Sequence, residues 1–257
     1  MTESPERLIG YIIQEYVTNR KRNEGTHTDW EAPLIAFASA SDPAFDRLRF
    51  AVSMTHTTPK KLFPESKTVV VYFLPFVREI VESNDSVGAA SEQWALAYVE
   101  TNRLIIDMNR HLVDELKEFG IGALSLPPTH NFDPETLTSD WSHKHAAFIA
   151  GLGTFGLHKM IITEKGSAGR LGSLLIDAEI PPSPKPFFEY CLYKYNKSCR
   201  KCVAKCTFGA LKEDSFDRFA CYDVLKENDE RYGHLGPSDV CGKCVTMVPC
   251  SFENPVK

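Results

Sequence analysis

No cysteine precedes Cys191, and several other things are missing from the chain. No apolar run is long: the longest, around Val69 to Leu74, falls far short of the roughly 20 residues a membrane span needs. Positive charge is not in excess. A net charge of −5 argues against a nucleic-acid binder held by a broad basic surface, so nucleic acid is not an expected partner. The start, MTESPERLIGYIIQEYV, lacks the basic region and unbroken apolar core of a signal peptide. Arg20-Lys21-Arg22 runs into Asn-Glu-Gly, which does not fit a twin-arginine export signal. Together these absences lead to an expectation of a cytoplasmic protein without a membrane partner, in a compartment where thiols stay reduced. Internal repeats and low-complexity tracts are also missing.

What is present is ordinary in bulk: 257 residues, 43% hydrophobic and 25% charged, enough for a sizeable core. Ser4-Pro5 reads as a helix start, and Leu8, Ile12 and Tyr16 form its apolar stripe, with fraying expected near Arg22. Leu34 to Phe37 is a candidate strand. Asp42-Pro43 opens a helix carrying Phe45, Leu48 and Ala51. The polar segment His56 to Lys61 reads either as a surface loop or as the lining of a ligand site. Thr68 to Leu74 is a buried strand. Ser91 begins the longest helix, with Trp94, Tyr98, Ile105, Met108, Leu112 and Phe119 at helical spacing and Gly120 at its end. Ile121 to Leu126 is the next strand. This strand–helix–strand order predicts an α/β sandwich over roughly the first 180 residues. Farther on, Ser139 or Asp140 is expected to cap a short helix reaching Ala150. Strands at 160–163 and 171–180 follow, read as a hairpin. The prolines 181, 182, 184 and 186 mark a boundary. They divide the chain into an α/β (α+β) domain at 1–182 and a small ferredoxin-like domain at 183–257.

The second part holds every cysteine: Cys191, Cys199, Cys202, Cys206, Cys221, Cys241, Cys244 and Cys250. Two cubane iron–sulfur clusters need eight thiolates, and eight are there. Cys199-x2-Cys202-x3-Cys206 has the spacing of the last three cysteines of a bacterial ferredoxin run. Asn196 stands where the first would be and Thr207 replaces the usual proline, so Cys191 is the substitute. In two-cluster proteins the last cysteine of one run serves the other cluster. Applied here, one cluster takes Cys191, Cys199, Cys202 and Cys250, and the other takes Cys206, Cys221, Cys241 and Cys244. The rival is zinc, but only Cys199/Cys202 and Cys241/Cys244 form the C-x2-C pairs that zinc sites prefer.

Gly151, Gly153 and Gly156 satisfy G-x-G-x-x-G, yet the order is reversed: a helix enters the loop and a strand leaves it. The phosphate-binding mechanism of the dinucleotide fingerprint then has no helix N-terminus to use. Such glycines let backbone pass close to another strand or to a flat cofactor. His143 and His145, two apart on a helix, point in different directions and do not pair as metal ligands. Each is a proton donor near neutrality or a packing residue. Tyr98 is open to the same two readings.

HAAFIAGLGTFGLHKMIIT…GSAGRLGSLLID, followed by the cysteine segment, resembles the epoxyqueuosine reductase family and its relatives, the reductive dehalogenases. The similarity covers roughly residues 139–252, with a weaker echo at LFPESKTVVVYFLPF. It implies a sandwich domain that binds a corrinoid, cobalamin, with a cluster close enough to reduce it. The matching loop glycines are Gly151, Gly153, Gly156, Gly169 and Gly172. At the spacing of the family's catalytic aspartate this chain has Leu137, with Asp140 nearby, so Asp140, His143, His145 and Tyr98 are the candidate catalytic residues. The resemblance is to a short form, without the helical-repeat domain that helps hold transfer RNA. The function it implies is an iron–sulfur oxidoreductase passing low-potential electrons through two 4Fe-4S clusters to a corrinoid. The corrinoid serves either to reduce a small substrate or to be reductively activated itself. Expected partners are a ferredoxin- or flavodoxin-type electron donor and, in the second form, a corrinoid protein. The alternatives are a ferredoxin-type carrier without corrinoid and a zinc-stabilised binding module.

Overall fold

The computed structural model describes residues 4–20 and 25–256. Helix α1 (Pro5–Arg20) starts at its proline, with Ser4 Oγ accepting the Arg7 N–H, and buries Leu8, Ile9, Ile12 and Ile13. The fraying expected near Arg22 falls outside the described residues. Strand β1 (Leu34–Ser39) follows, then α2 (Ala44–Ala51), whose first N–H is taken by Asp42 Oδ1 at 2.8 Å. A single turn, α3 (Pro59–Leu62), lies in the segment read as a polar loop. After it come β2 (Thr68–Pro75), α4 (Arg78–Ser83) and the long α5 (Glu92–Glu118), capped by Ser91 Oγ accepting the Trp94 N–H. Short strands β3 (Ala123–Ser125), β4 (His130–Asp133) and β5 (Thr138–Trp141) precede α6 (His143–Ile149). Strands β6 (Gly153–Phe155), β7 (Ile161–Thr163) and β8 (Gly169–Ile176) complete the body. The cysteine segment carries α7 (Leu192–Asn196), α8 (Lys201–Lys205), α9 (Arg218–Tyr232) and a 3-10 turn at Lys243–Val245.

The main sheet runs β1-β2-β8-β3, and every pairing in it is antiparallel. The architecture is thus mixed α/β with small antiparallel sheets. Strand β2 is buried at every position because it is covered on both faces. Val70, Tyr72 and Leu74 join the core beneath α1 and α5, whereas Val69, Val71 and Phe73 join the core with α2 and α6. This split follows the period-two alternation of a strand. Tyr72 is fully buried, and its hydroxyl donates to Asn109 Oδ1 at 2.7 Å; Asn109 Nδ2 in turn donates to the Leu126 carbonyl. This chain of bonds ties the sheet to α5. Val245 belongs to the same core as α1 and α5, and Val240, Cys244 and Phe252 pack against it.

Four expectations are corrected. Ser139 and Asp140 lie in β5, not at a helix start; the cap of α6 is Ser142, whose Oγ accepts the His145 N–H. The supposed hairpin does not form. Strand β7 pairs with β6 and β8 with β2 and β3, because the chain turns at Gly166 and its next N–H groups, at Ser167 and Ala168, bond to the Cys250 and Ser251 carbonyls. Phe119 is 59% exposed, since α5 has ended and the chain is already turning toward Gly120. Ala51, at the end of α2, faces solvent as well.

Replacing Tyr72 by Phe leaves Asn109 Oδ1 buried without its donor. The expected cost is about 1–3 kcal/mol, read as a lowered denaturant midpoint at unchanged slope.

Candidate metal centre

The eight cysteines are all free thiols, and a shared cavity and mutual electrostatics sort them into two groups. Cys191 caps α7, Cys199 lies in the next loop, Cys202 sits on α8, and Cys250 returns from the end of the chain. These four line one cavity together with His158, Leu192 and Val248. Burial pushes the Cys202 thiol up to about 11 and that of Cys250 up to about 12. Negative charge on the other members of the group acts in the same direction: Cys191 and Cys199 on Cys202, and Cys191, Cys202 and Cys199 on Cys250.

Cys206, Cys221, Cys241 and Cys244 form the second group. Cys206 Sγ accepts the Leu211 N–H at 3.3 Å, and Cys221 lies in the first turn of α9. Burial raises the Cys221 thiol to about 11 and also raises Cys241, with like charge from Cys206 adding to both. Cys244 is driven well above the ordinary thiol range by burial and then by Cys241, Cys221, Cys202 and Cys206. Cys206 and Cys244 pack against the apolar cluster that holds Cys191 and Cys202, so the two groups adjoin. Among the described residues, no three of Cys, His, Asp and Glu converge on a single-ion position.

The body fixes these loops closely. Gly166 and Ser167 grip the Cys250 turn: a Cβ on Gly166 would lie 2.3 Å from the Ser251 carbonyl oxygen, and Ser167 Oγ donates to the Cys250 carbonyl. Asn84 Nδ2 donates to the Cys241 carbonyl at 2.9 Å, and Lys243 Nζ donates to the Asn84 carbonyl at 3.1 Å. Gly242, at φ 74°, brings its backbone against the Trp94 indole, where a Cβ would be 2.4 Å from the ring.

Each of the four candidate catalytic residues has protein partners of its own. His143 is a buried structural residue: Nε2 donates to the Pro127 carbonyl at 2.8 Å, and Nδ1 accepts the Ser173 hydroxyl, whose oxygen receives the Trp141 Nε1–H. Asp140 Oδ2 accepts from Asn131 Nδ2 at 2.8 Å. Tyr98 donates to Asp239 Oδ1 at 2.7 Å beneath the Arg170 guanidinium, which lies 4.3 Å from its ring centre. Burial raises the Tyr98 phenol. His145 shares a 2.8 Å bond between Nδ1 and Ser142 Oγ and packs its ring 4.8 Å from that of Phe155. Burial, then the charges of Lys144 and His56, lower it to about 4.

The five glycines each have a packing partner. A Cβ would meet the Pro184 carbonyl at Gly151, the Ile162 carbonyl at Gly153 and the His158 ring at Gly156. At Gly169 it would meet the Leu74 carbonyl, and at Gly172 the Tyr72 ring. The faces left bare by these residues are filled by protein. The helix-in, strand-out order around the loop is as expected from sequence: α6 leads in and β6 leads out.

Sequence reasoning missed Lys144, His158 and Arg170. Lys144 is in electrostatic reach of Cys221, Cys244, His145, His158 and Arg170, and burial lowers its ammonium. His56, in the loop read as a possible site lining, is buried, with Nδ1–H donating to the Thr57 carbonyl and Nε2 facing no partner. His158 and Arg170 lie inside the stretch that carries the resemblance and Lys144 just before it, but no spacing rule gives any of these residues a role. Only their three-dimensional position beside the cysteines or the α6 face singles them out.

The fold is that of epoxyqueuosine reductases. No protein-family model matches the chain, and no curated protein matches it. Among solved structures, the epoxyqueuosine reductase from Streptococcus thermophilus superposes with a TM-score of 0.58 at 15% identity, over 95% of this chain and 68% of that one. The Bacillus subtilis enzyme, solved with its catalytic aspartate loop swung out of the active site, gives 0.56 at 19%, over 94% and 66%. A third, bound to an epoxyqueuosine-modified tRNA-Tyr stem loop, gives 0.55 at 22%, also over 94% and 66%. This chain spans about two thirds of the length of these neighbours, and the likeness is one of fold. Among the described residues no helix is long and apolar enough to cross a membrane.

His145 is expected to titrate near pH 4 in the folded chain, against about 6.5 when unfolded. The folded ring holds its proton less tightly, so its contribution to stability is fully present above about pH 6.5 and is lost as pH falls toward 4. A histidine NMR titration checks this, and a His145 midpoint near 6.5 would refute it.

Proposed function

We propose that the chain is an iron–sulfur oxidoreductase whose two cysteine quartets each hold a 4Fe-4S cluster. The observation that carries this reading is the crossing of Cys250 into the cavity of Cys191, Cys199 and Cys202, while Cys206 leaves its own run to join Cys221, Cys241 and Cys244. A cubane asks for four thiolates around a space, and the donor set fits. A zinc site would ask four sulfurs to meet at one ion, each about 2.3 Å from it.

When bound, the clusters supply one-electron transfer at low potential. The chain's own residues do the rest. Leu157, Ile162, Tyr190 and Leu211 pack with the cysteines and keep water from the sulfurs. The Asn84 and Ser167 bonds hold the ligand loops to the body. Lys144 is in electrostatic reach of both the second quartet and His145; burial lowers its ammonium, and added negative charge on Cys221 or Cys244 favours its protonated form. The proposed electron donor is a ferredoxin- or flavodoxin-type protein.

The neighbours' name extends the proposal to reduction of a small or nucleoside substrate. Leu137, at φ 52° in the turn between β4 and β5, stands where the family's aspartate is expected, so an acid for that step would have to come from elsewhere. A corrinoid is the acceptor that the resemblance implies, with a corrinoid protein as partner in the activation form. The glycines that the resemblance assigns to it are occupied in packing against the protein itself and do not form a cradle for it.

Anaerobic reconstitution should give a brown protein with about eight iron and eight sulfide per chain. Cys199→Ala and Cys221→Ala should each halve that content. Adding Cys250→Ala to the first should remove no more iron, whereas combining Cys199→Ala with Cys221→Ala should remove nearly all. A colourless zinc-loaded chain would sink the reading, and retained cobalt after addition of hydroxocobalamin would add the corrinoid to it.

A further inference from the structure

His158 is the residue closest in chemistry to the first quartet without being one of its thiols. It lies in the turn between β6 and β7, 4% exposed, among the residues lining the cavity of Cys191, Cys199, Cys202 and Cys250. Its tautomer is fixed by geometry. Nδ1 faces the Met160 backbone N–H at 3.1 Å, and because an amide N–H only donates, Nδ1 must accept. The ring proton is therefore on Nε2, and Nε2 is 3.4 Å from Cys250 Sγ. The turn is built to hold the ring there. Gly156 accepts the Lys159 N–H and donates to the Met160 carbonyl, and a Cβ on Gly156 would sit 2.5 Å from the imidazole.

We propose that His158 is a positioning residue that, through its Nε2–H bond to Cys250 Sγ, raises the reduction potential of the cluster held by the first quartet. The inference rests on the iron–sulfur reading above. Reduction adds negative charge that spreads onto the ligand sulfurs, so an N–H aimed at a sulfur stabilises the reduced cluster more than the oxidised one. The ring is neutral with a fixed tautomer, and the site is shielded from water, so the dipole acts undiluted.

The test is an EPR-monitored redox titration of the full chain after anaerobic reconstitution, in wild type, His158→Phe and His158→Gln. Phe fills the space without an N–H. It is expected to lower the reduced-to-oxidised ratio of one cluster about tenfold at a fixed poise, which is about 59 mV for a one-electron couple, and to leave the other cluster in place. Gln can return an N–H to the sulfur and should recover a large part of the loss. In wild-type chain labelled with nitrogen-15 histidine, pulsed EPR of the reduced protein should show a weak nitrogen coupling that His158→Gln removes, which decides the matter even if the Phe variant folds poorly. Unchanged potentials in a fully loaded Phe variant, or no nitrogen coupling in wild type, would overturn the inference while leaving the clusters standing. A wild-type chain that takes up no iron and sulfide would instead overturn the function on which it rests.

Discussion

Four thiols in one apolar cavity repel one another as soon as they ionise, and this constraint governs the last quarter of the chain. Burial and mutual repulsion hold Cys202 and Cys221 near 11, and Cys250 near 12, so the protein alone keeps them as neutral thiols. A cationic core reverses that balance, because a coordinating thiol loses its proton outright. The quartets draw on sulfurs as far apart in sequence as Cys191 and Cys250, so each closes long loops of chain. Metal binding and the ordering of this segment are then a single equilibrium on the iron–sulfur reading.

The α/β body serves that segment more than it serves a cofactor cradle. Asn84 and Trp94 lock the Cys241–Cys244 loop, and Gly166 and Ser167 lock Cys250. Leu157 and Ile162, which flank and enter β7, share a core with Cys191 and Cys202. The glycines of the GLGTFG loop let β6, β7 and the proline stretch approach. Close chain packing alone accounts for their missing side chains.

The gathering of all eight cysteines in one segment was legible because it depends only on their order in the chain, which sequence preserves. The long helix and the buried strand β2 were legible for a similar reason: Ser91 and the unbroken run from Val69 to Leu74 are local signals. Strand partners were not. Nothing local tells β8 to lie between β2 and β3, or β7 to turn back on β6, because those choices are set by contacts with Cys250 and Ser251, far along the chain. The side-chain roles around α6 were hidden in the same way. His143, Lys144 and His145 are consecutive, yet one is locked to Pro127 and Ser173, one reaches toward the second quartet, and one packs on Phe155.

That divergence at α6 bears on where chemistry takes place. Lys144 stands within electrostatic reach of Cys221 and Cys244 and of His145, so a charge change in the second quartet is felt at α6. The first quartet has its own neutral donor at His158, which Lys144 also influences. Lys144 in its protonated form near one group of sulfurs and a fixed N–H beside the other act in the same direction, since both stabilise added electrons. On the iron–sulfur reading, the two centres are thereby tuned by different means.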